Sequence, residues 1–232
     1  MIIYILLFFI TVLLVYFIIK NKDTFDINNC KSNKLEFIHI PKNAGTSIEK
    51  LGKKYNICWG MYNRKNLLIN KIVKCNIWHN PHHLYVKDNF AIVRNPYKRI
   101  ISEFFYQPKW EHGHKYELTI DNFYLWINET FEKYKNDKYI HDCHIIPQSE
   151  YIYHNGKKVI ENVYKLEDNL NNNLQNLFNK YNLNIDIKDL DKNNVSTNPF
   201  TLNDIKNQNI LNKIYDFYKV DFDNFGYDKL FL

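Results

Sequence analysis

Phe37-Ile38-His39-Ile40-Pro41-Lys42-Asn43-Ala44-Gly45-Thr46-Ser47-Ile48-Glu49 is the stretch that decides the fold. Leu35 to Ile40 form a compact apolar run of strong β-formers, and the chain then turns through Lys42 and Gly45 into a helical pattern. Thr46 and Glu49 have the spacing of a capping box, which predicts a helix that begins at or near Thr46. A strand, a tight loop and a helix start in that order leave backbone N–H groups free at the positive end of a helix dipole, a ready anion site, and Lys42 adds a mobile cation beside it. A Walker A loop places its lysine after the glycines; here Lys42 precedes Gly45, which disfavours an ordinary nucleoside triphosphatase.

The same grammar recurs in Phe90-Ala91-Ile92-Val93-Arg94-Asn95-Pro96-Tyr97-Lys98-Arg99-Ile100-Ile101-Ser102-Glu103-Phe104-Phe105-Tyr106. Phe90 to Val93 read as a strand, Asn95 as an N-cap and Pro96 as the first helical residue. Arg94 then sits at the strand's carboxyl end, where open α/β sheets bind ligands, and its guanidinium suits a phosphate. Ser102 can add a hydroxyl.

Further along, apolar residues recur at helical spacing in Phe123/Trp126/Ile127/Phe131/Tyr134, Leu170/Leu174/Leu177/Phe178/Tyr181 and Ile210/Leu211/Ile214/Phe217/Tyr218. Strands alternating with helices predict an α/β domain with a central parallel sheet in three layers, and the aromatic stripes are its core faces.

Composition sets the outer limits. With 45% apolar and 16% aromatic residues the chain is globular, and its 232 residues suffice for one domain. The net charge of +6 is spread along the sequence without a basic arm, which argues against a nucleic-acid partner and suits a small anionic ligand. Cys30, Cys58, Cys75 and Cys143 form no C-x-x-C pair or zinc-finger spacing, so no metal site is expected; in an oxidising lumen they can form up to two disulfides, with the pairing left open.

Met1 to Ile19 are apolar except for Thr11, long enough as a helix to span roughly 28 Å. Residues 1–19 are therefore expected to be a transmembrane anchor, with a cleaved signal peptide as the alternative. Residues 20–34 follow as a short polar stem and 35–232 as the globular domain. Lys20 and Lys22 favour a cytoplasmic domain by the positive-inside rule, whereas the sequons at Asn128 and Asn194 suit a luminal one.

Taken together, the two loops make the chain resemble the sulfotransferase superfamily, and within it the glycan branch that includes heparan sulfate 2-O-sulfotransferase. Pro41 to Ser47 resemble the family's 5′-phosphosulfate loop, and Val93 to Arg99 with Ser102 its 3′-phosphate motif. Pro147-Gln148-Ser149-Glu150-Tyr151, Tyr164 to Leu170 and Tyr218 to Tyr227 match further. The resemblance implies a P-loop-like fold and 3′-phosphoadenosine 5′-phosphosulfate (PAPS) as co-substrate, leaving as PAP. It implies that Lys42, Asn43, Ala44, Gly45, Thr46 and Ser47 hold the 5′-phosphosulfate while Arg94 and Ser102 hold the 3′-phosphate. Two anion sites on one ligand also explain why one small domain carries two such loops.

Sulfuryl transfer needs stabilisation of charge on the leaving oxygen, a role suited to Lys42, and a base for the acceptor hydroxyl. The branch places its catalytic histidine just before the second strand, which points to His79 in Ile77-Trp78-His79-Asn80-Pro81-His82-His83; His82 and His83 stay open as alternatives, and His79-x-x-His82 also has the spacing of a metal pair. His39 is expected to be structural, and His144 to line the acceptor cleft or to pack. The implied acceptor is a glycan hydroxyl, the implied setting a luminal, membrane-anchored one, and no metal is required. A membrane-anchored protein of the same fold that binds nucleotide or glycan without catalysis is the competing expectation, and a nucleotide-kinase-like phosphotransferase a third that the lysine position disfavours.

Overall fold

In the computed structural model β1 (Glu36–Ile38) and β2 (Asn89–Val93) lie parallel, with Phe37 opposite Phe90 and Ile38 opposite Ala91. A third strand, β5 (Asn162–Lys165), pairs parallel with the other side of β2, so that β2 is central in the order β1-β2-β5. The structure describes residues 34–62, 75–81, 88–106, 116–190 and 198–232, within a unit spanning Lys31–Leu232. The anchor predicted over 1–19, most of the stem, His82, His83 and Asn194 lie outside the described residues. Among the described residues no helix is long and apolar enough to cross a membrane.

All five residues of β2 are buried, as a central strand covered on both faces requires. On one face Phe37, Phe90 and Ile92 pack with Ile48 and Leu51 of α1 (Gly45–Lys54) and with Leu174, Leu177 and Phe178 of α5 (Leu170–Lys180). On the other, Ala91 and Val93 pack with Ile146, Tyr151, Ile152 and Phe225. Apolar side chains therefore cover both faces of a parallel sheet that has three strands among the described residues.

A third apolar cluster joins α2 (Pro96–Phe104), α3 (Ile120–Asn136), α6 (Gln208–Phe217) and α7 (Lys219–Phe225). Phe123, Trp126, Ile127 and Phe131 are buried on α3 and Ile210, Leu211 and Ile214 on α6, as their spacing predicts. Between β2 and β5 the chain also forms a one-turn helix, α4 (Ser149–Ile152), and a hairpin of β3 (Tyr153–His154) and β4 (Lys157–Lys158). The sequon at Asn128 falls inside α3 with Thr130 buried, so this triplet is not the surface loop that glycosylation uses.

Candidate active site

The first loop leaves β1 at the carboxyl edge of the sheet. Lys42 and Ala44 both adopt left-handed backbone, at φ 68° and 63°, on either side of Asn43. Alternation of this kind turns successive N–H groups to one side and forms an anion-binding concavity. Left-handed backbone at a residue with a side chain costs roughly 1–2 kcal/mol, and such strain concentrates where a site requires it.

The predicted capping box does not form. Helix α1 starts at Gly45 with Ala44 as its N-cap and no side-chain cap, because Glu49 is turned into the core. There its Oε1 pairs with His39 Nδ1 at 2.7 Å and accepts from the Met61 amide at 2.9 Å. Gly45 is required for a different reason than a turn: a Cβ at this position would lie 2.2 Å from His39 Nε2. His39 is thus a structural wedge beneath the loop. The Asn43 side chain also faces inward, donating to Ile92 O at 2.9 Å and to Gln148 Oε1 at 2.6 Å. Ser47 is buried, and Thr46 is exposed on the first turn.

The second loop behaves as its residues predict. Asn95 caps α2 by accepting from the amides of Tyr97 and Lys98, with Pro96 at the first position. Arg94 ends β2 and reaches across to the first loop, where its Nη1 donates to Lys42 O at 3.2 Å. Its Nε is buried without any acceptor. Burial pushes the guanidinium below its usual pKa, against the pull of Glu167. A buried cationic donor lacking a partner is costly, and a bound anion is what would satisfy it. Ser102 is half-buried on α2, and the structure does not bring its hydroxyl into hydrogen-bond contact with Arg94 or Lys42.

Gln148 and Arg99 add to the hold between the loops. Gln148 is fully buried: its Oε1 accepts from Asn43 Nδ2 and from the Arg94 amide at 2.8 Å, and its Nε2 donates to Arg94 O at 2.8 Å. Its own amide donates to Asp221 Oδ2 on α7 at 2.8 Å. Arg99 is buried as well, with Nε donating to Pro41 O at 3.1 Å and Nη2 to His144 O at 2.8 Å.

Three histidines then converge, each paired through Nδ1 with a carboxylate: His39 with Glu49, His79 with Asp142 at 2.6 Å, and His144 with Glu103 at 2.7 Å. The His79 ring meets His39 edge-on at 4.8 Å between centroids and His144 at 4.7 Å. A carboxylate only accepts, so His144 carries its proton on Nδ1 and offers the Nε2 lone pair to His79 Nδ1, 3.3 Å away. His79 Nδ1 therefore bears the proton that faces Asp142, and His79 Nε2 is the basic atom.

Burial pushes His79 down from 6.5 to about 4, against the pull of Asp142, and burial likewise holds His144 well below its usual range, with Lys42 adding to the effect. Burial pushes the Asp142 carboxyl up, but hydrogen bonds from His79 and Asn76 outweigh it and hold the group below its ordinary value. The pair is thus a neutral imidazole on an ionised carboxylate, which leaves Nε2 unprotonated at neutral pH. Lys42 Nζ lies 3.7 Å from the centroid of the Tyr106 ring, which in turn lies 5.6 Å from His144.

Contacts from Cys75, Asn76 and His79 itself fasten the segment that carries His79. Cys75 forms a disulfide with Cys143, Asn76 donates to both oxygens of Asp142, and Tyr151 OH donates to His79 O at 2.6 Å. On the opposite side His141, Asp142 and Cys143 are all left-handed, at φ 51°, 53° and 65°. Three such residues in a row are costly, and the strain presents Asp142 to His79 and Cys143 to Cys75.

The structure therefore brings Lys42 and Arg94 into one loop pair and His79 beside it. Asp142 and Glu103 have no role in the sequence-based expectations, where His144 enters only as lining the acceptor cleft or packing and Gln148 only through the family resemblance. The one available signal is Pro147-Gln148, which the family resemblance marks, three residues after His144.

Neither curated proteins nor solved structures match the chain. A family model described as Sulfotransferase family matches residues 25–228, a span that contains both loops, His79 and the strained turn at Asp142, and the chain therefore belongs to the sulfotransferase family.

Proposed function

We propose that the chain transfers a sulfuryl group from PAPS to a carbohydrate hydroxyl, with His79 as the base, as in the glycan branch that its loops resemble. The observation that carries this is the placement of a neutral, oriented imidazole beside the lysine of an anion-binding loop: His79 against His144, His144 against Tyr106, and Tyr106 beneath Lys42. The residues fit a ligand with two anionic ends. The concavity at Lys42 to Ala44 suits the 5′-phosphosulfate, and the orphaned Nε of Arg94 suits the 3′-phosphate. PAPS supplies the sulfuryl group and a leaving phosphate that needs no proton.

The chain's own residues do the rest. His79 Nε2 takes the proton of the acceptor hydroxyl as its oxygen bonds to sulfur, and Asp142 stabilises the imidazolium that results. Lys42 places its charge where negative charge grows on the leaving oxygen. Arg94 and the 43–47 segment fix the nucleotide, so that the displacement is unimolecular and in line. Family members generally use PAPS, and the placement of Arg94 supports the same donor here. A membrane anchor at 1–19 with the domain in the lumen belongs to the same proposal, supported by the Cys75–Cys143 disulfide, since such bonds persist in oxidising compartments.

The test is transfer of labelled sulfate from PAPS to a panel of glycans and tyrosine peptides by the full chain and by Lys42→Ala, Arg94→Ala and His79→Ala. Transfer to a glycan that all three variants lose is the expected result. PAP binding without transfer to any acceptor would overturn it in favour of a binding protein.

A further inference from the structure

We propose that His79 Nδ1, Asp142 Oδ2 and His144 Nε2 form a site for one divalent transition ion of the zinc class, and that filling it switches the transferase off. The site stands on these residues alone; its inhibitory effect rests on the function proposed above.

The three ligand atoms lie within 4.8 Å of one another. Zinc–nitrogen bonds are about 2.0–2.1 Å, so the edge of a tetrahedron around zinc is about 3.3 Å, and His79 Nδ1 to His144 Nε2 measures 3.3 Å. The closer His79–Asp142 pair, at 2.6 Å, opens once the proton between the two atoms is displaced. Two imidazole nitrogens and one carboxylate oxygen suit zinc or cobalt better than magnesium or calcium, which prefer oxygen throughout. One position remains for water or an anionic oxygen.

The surroundings are those of a prepared site. A histidine ligand normally gives its other N–H to a carboxylate, which fixes its tautomer; Glu103 does this for His144. Asn76 holds both oxygens of Asp142. The ligands come from two segments, one around His79 and one at 142–144, which the Cys75–Cys143 disulfide joins beside them. All three side chains are nearly buried, at 12%, 10% and 4% exposure, so a captured ion is shielded from solvent.

The protons balance simply. The ion takes the Nδ1 lone pair of His79, and the proton formerly on Nδ1 moves through solvent to Nε2. The ring stays neutral, but Nε2 becomes an N–H donor and accepts nothing from an acceptor hydroxyl.

The experiment uses the full chain without a histidine tag, stripped with a chelator and titrated with cobalt(II) while the visible absorption is followed. One equivalent should give the strong bands of a tetrahedral ion, and zinc should abolish them. Asp142→Asn and His79→Ala, each shown by circular dichroism to be folded, should weaken binding at least about 100-fold, whereas His154→Ala on the β3 hairpin should not. Absence of the bands in folded protein, or wild-type affinity in both site variants, would overturn the site. Parallel assays of sulfate transfer should show activity in the stripped enzyme, loss with zinc and recovery with chelator; full activity at saturating zinc would sink the inhibition. A chain that binds cobalt yet transfers nothing when stripped would count against the transferase, not against the metal site.

Discussion

His79 Nδ1 and Asp142 Oδ2 are 2.6 Å apart at a sequence separation of 63, with Asn76 donating to both oxygens of Asp142 and Tyr151 OH to His79 O. Replacing Asp142 by Asn removes the acceptor that fixes the His79 tautomer while keeping the shape. In metal-free enzyme, kcat is expected to fall about 10²–10⁴-fold with PAP affinity within a factor of about 3. Steady-state kinetics beside PAP titration check this, and equal loss of both would show a merely structural role.

Arg94 is the only guanidinium that joins the two loops through the Lys42 carbonyl among the described residues. Arg94→Ala should weaken PAP by about 10–100-fold, the worth of a charge-assisted contact of about 1.5–3 kcal/mol. Affinity for adenosine 5′-monophosphate, which lacks the 3′-phosphate, should change little. Calorimetry with both nucleotides measures the ratio.

Cleavage of the Cys75–Cys143 bond releases a loop with a sequence separation of 68. Cys75→Ser is expected to lower stability by about 2–4 kcal/mol and to reduce transfer more than it reduces PAP binding, because the cross-link holds the histidine arm rather than the phosphate loops. Chemical denaturation and activity of the same preparation separate the two effects.

Stability should fall in mild acid. His79 is held at about 4 in the folded chain against 6.5 when exposed, so the unfolded chain binds the proton first and the stabilising contribution is present above 6.5 and lost as pH drops towards 4. For this residue alone the loss is about 3 kcal/mol, and His144 adds in the same direction. Thermal melts of the metal-free chain between pH 7 and about pH 4 should show Tm decreasing throughout, with a shallower slope in His79→Ala.

Gly45→Ala should displace either His39 or the start of α1, since the added carbon would sit 2.2 Å from the imidazole. A cost of about 1–3 kcal/mol and loss of PAP binding are expected by denaturation and titration.

Much of the scaffold was legible because it rests on local chemistry. The run around Phe37, the Asn95-Pro96 cap and the apolar spacing of α3, α5 and α6 each carry their own signal, and the structure has them where the residues predict. The third strand, Asn162–Lys165, has no such signal: it is half-buried and short, and only its pairing with β2 makes it a strand. The hairpin at Asn155-Gly156 does carry a signal, a dipeptide with both residues left-handed. In the candidate site, the loop positions of Lys42 and Arg94 were readable from strand-loop-helix order. The polar partners were not, because Asp142 reaches His79 only through three consecutive left-handed residues without a glycine, and Glu49 trades its predicted cap for a buried histidine.

Gln148 has a consequence for what the chain accepts. One amide touches Asn43 on the first loop and both backbone groups of Arg94 on the second, so neither loop sets the distance between the two proposed anion sites by itself. In the proposed function the amide works as a caliper: it sets the span that a ligand's two charged ends must match, and a molecule with the right groups at the wrong separation can engage one jaw only.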